Sequence, residues 1–75
     1  MELPQEIIEV PITGKILSVN VKPGDKVKEG DTLCILESMK MENPILAPVD
    51  GTISQVGVNA DQVVSPGETI ATIDY

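Results

Sequence analysis

Pro11-Ile12-Thr13-Gly14-Lys15-Ile16-Leu17-Ser18-Val19-Asn20-Val21 and Pro48-Val49-Asp50-Gly51-Thr52-Ile53-Ser54-Gln55-Val56-Gly57-Val58 are two versions of one pattern, Pro-x-x-Gly-x-Ile-x-x-Val-x-Val. A shift of thirty-seven residues superposes them without a gap. The same shift lays Val27 on Val64, Gly30 on Gly67 and Thr32 on Thr69, with conservative pairs at Ile12/Val49, Asp31/Glu68, Leu33/Ile70 and Glu37/Asp74. A register kept over about 27 positions describes a duplicated supersecondary unit. Two such units pack as a pseudo-symmetric pair, because neither buries its apolar face alone.

Each copy carries the same irregularity. Val19 and Val21 alternate as a half-buried strand requires, but Ile16 stands an odd step away, and Ile53, Val56 and Val58 repeat the slip. One extra residue reverses the facing of all later residues in its strand, so a bulge or bend is expected inside each one. Working outward, Glu6–Val10 reads as a first strand closed by Pro11, and Gly14–Val21 as the second. Lys22-Pro23-Gly24-Asp25 is a strong turn signal, whereas its counterpart Asn59-Ala60-Asp61-Gln62 has lost both Pro and Gly. Val27 and Val63-Val64 read as very short strands, and Gly30-Asp31 and Gly67-Glu68 turn into strands over 32–37 and 69–74. Glu42–Ala47 completes about eight strands and no helix. The expected fold is all-β: a flattened barrel or sandwich of two four-stranded antiparallel sheets related by a pseudo-twofold axis.

Seventy-five residues make one small domain, with residues 1–5 expected as a frayed start or linker remnant. A single cysteine, Cys34, excludes an internal disulfide, and its apolar setting, Thr32-Leu33-Cys34-Ile35-Leu36, makes it a small buried hydrophobe. With no histidine and no Cys-x-x-Cys, no metal ligands are expected. Stability must come from packing of Val, Ile and Leu, Tyr75 being the sole aromatic residue. A net charge of −7 without arginine argues against nucleic-acid binding and against an anionic membrane surface. No apolar run reaches the length of a membrane span or a signal-peptide core, and a cytoplasmic setting is the default expectation.

The candidate functional residues lie between the two copies, in Glu37-Ser38-Met39-Lys40-Met41-Glu42. Only four residues separate the strand ending at Glu37 from that starting at Glu42. This spacing makes a tight hairpin, with Met39 and Lys40 as its central pair and Glu37 roughly opposite Glu42. No Asn-Gly or Gly-x eases the turn, so non-glycine residues are held there in a costly backbone conformation. A lysine amine is protonated near neutral pH, and burial or a cationic neighbour is needed to make it a reagent. A tip flanked by two glutamates supplies neither. Lys40 therefore reads as a substrate, its amine acylated from outside by an activated carboxyl group. No catalytic residue is expected, since the chain lacks an acid-base pair on which an independent enzyme could be built.

Glu37-Ser38-Met39-Lys40-Met41-Glu42-Asn43 resembles the Glu-Ala-Met-Lys-Met-Glu signature of biotinyl domains, the biotin carboxyl carrier modules of biotin-dependent carboxylases, transcarboxylases and decarboxylases, with Ser38 in place of the commoner alanine. The resemblance runs from about Val10 to Asp74 and includes Gly24-Asp25-Lys26-Val27, Gly30-Asp31-Thr32-Leu33 and Ala47-Pro48-Val49-Asp50-Gly51. Pro44 departs from it, standing where relatives often carry an acidic or polar residue. The extra loop, or thumb, of some bacterial acetyl-CoA carboxylase carriers is missing between Val19 and Lys22, which places the chain nearer the pyruvate carboxylase, transcarboxylase and decarboxylase branches.

The resemblance implies biotin joined through an amide to Lys40 by a biotin protein ligase, with Met39 and Met41 recognising and packing around the arm and Glu37, Ser38 and Glu42 completing the motif. Carboxybiotin would then shuttle between a biotin carboxylase site and a carboxyltransferase or decarboxylase site on partner domains or subunits. The carrier supplies positioning and effective concentration, not catalysis. Methionines that merely fill gaps at the sheet edge remain the alternative for Met39 and Met41. Two other readings remain for the whole chain. A lipoyl carrier domain shares this fold but typically presents Asp-Lys-Ala at its tip. An unmodified interaction module usually loses the lysine or its flanks.

Overall fold

The computed structural model describes residues 4–75. Eight strands form: β1 (Gln5–Glu9), β2 (Gly14–Val19), β3 (Lys26–Val27), β4 (Thr32–Ser38), β5 (Met41–Leu46), β6 (Gly51–Val56), β7 (Val63–Val64) and β8 (Thr69–Asp74). They make two four-stranded antiparallel sheets, ordered β1-β8-β6-β3 and β5-β4-β2-β7. The thirty-seven-residue shift carries each strand of the first sheet onto the strand at the same place in the second. The pseudo-twofold expected from the repeat is thus the symmetry of the sheets themselves.

The copies are interlocked. In each sheet the two central strands come from one copy, and both flanking strands come from the other. Hydrogen bonds outside the ladders repeat with the same offset. Val10 donates to the Glu68 carbonyl and accepts from Gly67 at 2.8 and 3.1 Å, as Ala47 does with Asp31 and Gly30 at 2.8 Å each. Ile16 donates to Gln62 at 2.8 Å, as Ile53 does to Asp25 at 2.8 Å.

The slip in apolar phase is a bulge in both copies. Register shifts between Ile16 and Ser18 and again between Ile53 and Gln55, leaving Leu17 and Ser54 as the extra residues. A second pair of irregularities, at Thr32/Cys34 opposite β5 and at Ile8/Glu9 opposite β8, lets adjacent residues face the same way. Leu33 and Cys34 are both buried for this reason, as are Ile70 and Ala71. With Ile16, Leu36, Ile53, Val64 and Ile73 they form one core between the sheets. Each Val, Leu or Ile side chain among them contributes about 1.5–3 kcal/mol on burial. Cys34 is fully enclosed, and burial pushes its thiol pKa up. It behaves as the small hydrophobe expected.

Two local results go beyond the sequence reading. β1 begins at Gln5, inside the stretch expected to be frayed: Gln5 pairs with Asp74, its Nε2 donates to Asp74 Oδ1 at 2.9 Å, and the Tyr75 amide donates to the Pro4 carbonyl at 3.0 Å. Residues 1–3, the rest of that stretch, lie outside the described residues. Asp61, in the turn that lost its glycine, keeps the left-handed conformation of its counterpart Gly24 (φ 70 against 95). Aspartate is one of the few non-glycine residues that visit this region readily. The turn is kept although its sequence signal is gone.

Gly14 and Gly51 are needed for another reason. A methyl group on either would overlap a backbone carbonyl oxygen, that of Glu37 for Gly14 and that of Asp74 for Gly51. Gly14→Ala and Gly51→Ala should each therefore cost about 1–3 kcal/mol, measured by urea unfolding, with similar losses for the two because the contacts are symmetry equivalents.

Candidate functional site

Glu37 pairs with Glu42 and Ser38 with Met41, leaving Met39 and Lys40 as a two-residue turn. Both have positive φ, 54 and 65. Two consecutive left-handed residues define the mirror-image turn that matches the right-handed twist of a hairpin. It normally draws Asn-Gly, and here Met-Lys occupies it at a cost of about 1–2 kcal/mol per residue.

Lys40 is exposed, and no ion pair involving it forms among the described residues. Met39 is 90% exposed and Met41 66%. Gap-filling at the sheet edge therefore does not account for these methionines. They stand out in solvent on either side of the amine.

Around the turn the sheet presents a row of outward side chains along paired positions: Glu42 on β5, Glu37 on β4, Lys15 on β2 and Val63 on β7. Lys15 Nζ also lies 3.8 Å from Asp61 Oδ1. The directly opposed glutamates repel, an arrangement worth a few tenths of a kcal/mol up to about 1 against the fold. Ser38 Oγ donates to the Thr13 carbonyl at 2.9 Å, and Asn43 Nδ2 donates to the Met41 carbonyl at 3.2 Å. Sequence reasoning placed Glu37, Ser38, Met39, Lys40, Met41 and Glu42 together, and the hairpin brings them together. It missed Thr13, Gly14, Lys15 and Asp61, which lie at this end only through pairing across the sheet. The recurrence of Gly14 as Gly51 was the one signal of the contact beneath the turn.

Pro44 is explained by its place. β5 is an edge strand. In a two-residue hairpin the closing pair, Ser38–Met41, exchanges hydrogen bonds, and bonding alternates along the ladder. Pro44, opposite Ile35, falls where the nitrogen faces away from β4. It forfeits no ladder bond and blunts an open edge.

The turn lies at one end of a body about 41 Å long. The seven residues of β4 span about 20 Å. At the hairpin's other end Leu46 and Ala47 lead to Gly51, which lies against the Asp74 carbonyl. Pro4 and Tyr75 thus meet at the end remote from Lys40.

Residues 6–73 match the protein-family model described as "Biotin-requiring enzyme". The chain belongs to this family as a biotinyl, or biotin carboxyl carrier, domain. It is 44% identical over 68 residues to the biotinylated protein TB7.3 homolog of Mycobacterium leprae, spanning 91% of this chain and 96% of that protein. It is 48% identical over 63 residues to the biotin carboxyl carrier protein of Streptococcus mutans, covering 84% of this chain and 48% of that one. Among solved structures it superposes with a TM-score of 0.86 and 26% identity on a single-chain, multi-domain long-chain acyl-CoA carboxylase, over 99% of this chain and 8% of that one. The chain therefore spans nearly all of the mycobacterial relative, about half of the streptococcal one and a small part of the carboxylase.

The biotinyl domain fits a tethered cofactor. An acyl group on Nζ of Lys40 would project from a protruding tip without displacing a packed side chain. One hollow of the surface lies away from the turn, beside Ile7, Ser54 and Thr72 on the outer face of the first sheet. Replacing Met39-Lys40 by Asn-Gly should raise stability by about 1–3 kcal/mol in urea unfolding, showing that the strained pair is kept against the interest of the fold.

Proposed function

We propose that Lys40 is the residue acylated by biotin protein ligase, and that the arm it carries serves two successive sites on partner domains or subunits. The lysine amine displaces AMP from the activated carboxyl of biotin, forming one amide and releasing one proton. The observation that carries this reading is the strained, exposed Met39-Lys40 turn, a placement that stability alone disfavours. Bound there, biotin supplies the chemistry of accepting and releasing a carboxyl group.

The domain itself is a non-catalytic carrier. Its residues present the amine beyond the sheet end, keep the tip free of ion pairing among the described residues, and flank it with two adaptable apolar thioethers. The length of the body separates Lys40 from the end where Pro4 and Tyr75 meet, leaving the surroundings of the arm open to partner sites. The gain is effective concentration: a tethered group reaches its second site without diffusing away.

The partners proposed are a biotin carboxylase and a carboxyltransferase or decarboxylase, with a cytoplasmic setting. Biotin, not lipoate, is favoured by Met39 and Met41 around the lysine, where lipoyl domains typically carry Asp-Lys-Ala. The test is the intact mass after incubation with biotin protein ligase, ATP and biotin, beside Lys40→Ala. One biotin-sized adduct on the parent and none on the variant is expected. No adduct on the folded parent refutes the reading, and a single adduct from lipoate ligase instead would assign the chain to lipoyl carriers.

A further inference from the structure

Because the molecule is nearly symmetric, each structural feature near Lys40 can be compared with its equivalent at the other end. Features present at both ends answer to the fold, while those present only at the lysine end are candidates for service to Lys40. The seat beneath the turn is of the first kind: Gly14 receives the Glu37 carbonyl as Gly51 receives that of Asp74. The hydrogen bond from Ser38 Oγ to the Thr13 carbonyl is of the second kind. Its equivalents are Tyr75 and Asp50, and a tyrosine has no hydroxyl at its β-carbon with which to repeat it.

We propose that Ser38 is the positioning residue of the lysine hairpin, its hydroxyl latching the turn to the β1–β2 connection. This rests on the reading that Lys40 is biotinylated. Ser38 closes the turn by pairing with Met41, so a restraint on Ser38 acts directly on the base of the two-residue tip. Thr13 precedes Gly14, which already lies against the Glu37 carbonyl. Thr13, the last residue of the connection, and Gly14, the first of β2, thus hold two consecutive residues of β4, one by a hydrogen bond across twenty-five positions of sequence and one by close contact. The hydrogen bond ties the lysine-bearing hairpin to the loop that carries Ile12, a residue 43% exposed.

A ligase must find the tip in one orientation, and its apparent affinity falls with the fraction of time the tip spends there. The latch raises that fraction without touching the reacting atoms. Its loss should act on KM and leave kcat in place.

The experiment compares the parent with Ser38→Ala and Ser38→Thr. In the unmodified domain, amide hydrogen exchange at Ser38 and Met41 should quicken about fivefold in Ser38→Ala, the ratio that loss of one exposed hydrogen bond supports. The melting temperature should stay within a few degrees. With biotin protein ligase, KM for the domain should rise about three- to fivefold with kcat near the parental value. Ser38→Thr, which keeps the hydroxyl on a strand-compatible side chain, should restore both. Parental exchange in Ser38→Ala overturns the latch. Faster exchange with unchanged KM, or a rise in KM that threonine does not rescue, overturns the positioning role. If the parent itself is not biotinylated, the carrier reading fails, and the exchange arm still decides whether the latch exists.

Discussion

The interlocking of the two copies is the constraint on which everything else rests. Each copy contributes two central strands to one sheet and two flanking strands to the other, so neither has a complete sheet without its twin. A chain of 75 residues without a disulfide has only a small core. Interlocking lets that core be shared, since Ile16, Leu33 and Leu36 of one copy meet Ile53, Ile70 and Ile73 of the other. It also ties down the ends of the sheets, because the connections there bond to the opposite copy. A strained turn can survive at such an end. The same two left-handed residues on a free hairpin would relax or fray.

Pseudo-symmetry sharpens the division between fold and function. The glycine seats and the buried residues that follow β1 and β5, Val10 and Ala47, occur twice and belong to the packing. Met39-Lys40, the Ser38 hydroxyl bond and Pro44 occur once, all within or beside the lysine hairpin. The opposed glutamates show the same partition. Their equivalents, Asp74 and Gln5, form a favourable hydrogen bond where Glu37 and Glu42 repel. The far end closes with a direct side-chain bond between its paired residues, whereas the lysine end keeps two like charges opposed, with Lys15 on the other side of Glu37.

Much of this was legible in the sequence, for definite reasons. The slipped apolar phase at Ile16 and Ile53 announced the bulges because a strand's facing alternates strictly. The four-residue gap between Glu37 and Glu42 fixed both the turn and its central pair. What was not legible depends on distance in the chain or on conformation without a side-chain signature. Gln5 finds Asp74 only once the sheets have closed. Ser38 finds Thr13 across the sheet. Asp61 occupies a glycine's conformation with no glycine to mark it. Pro44 looked like a disruption until β5 proved to be an edge.

The meeting of Pro4 and Tyr75 has a consequence for what could be built from this molecule. The Tyr75 amide bonds to the Pro4 carbonyl in the place that the pseudo-twofold assigns to the closing pair of the lysine hairpin. A two-residue splice between Tyr75 and Pro4, with the chain reopened in an exposed turn such as that at Gly24, would turn the two ends into a second hairpin. A lysine in the splice would place an exposed amine at either pole of the body. The natural arrangement, with one hairpin at the Lys40 pole and Pro4 and Tyr75 meeting at the other, uses half of what the symmetry permits.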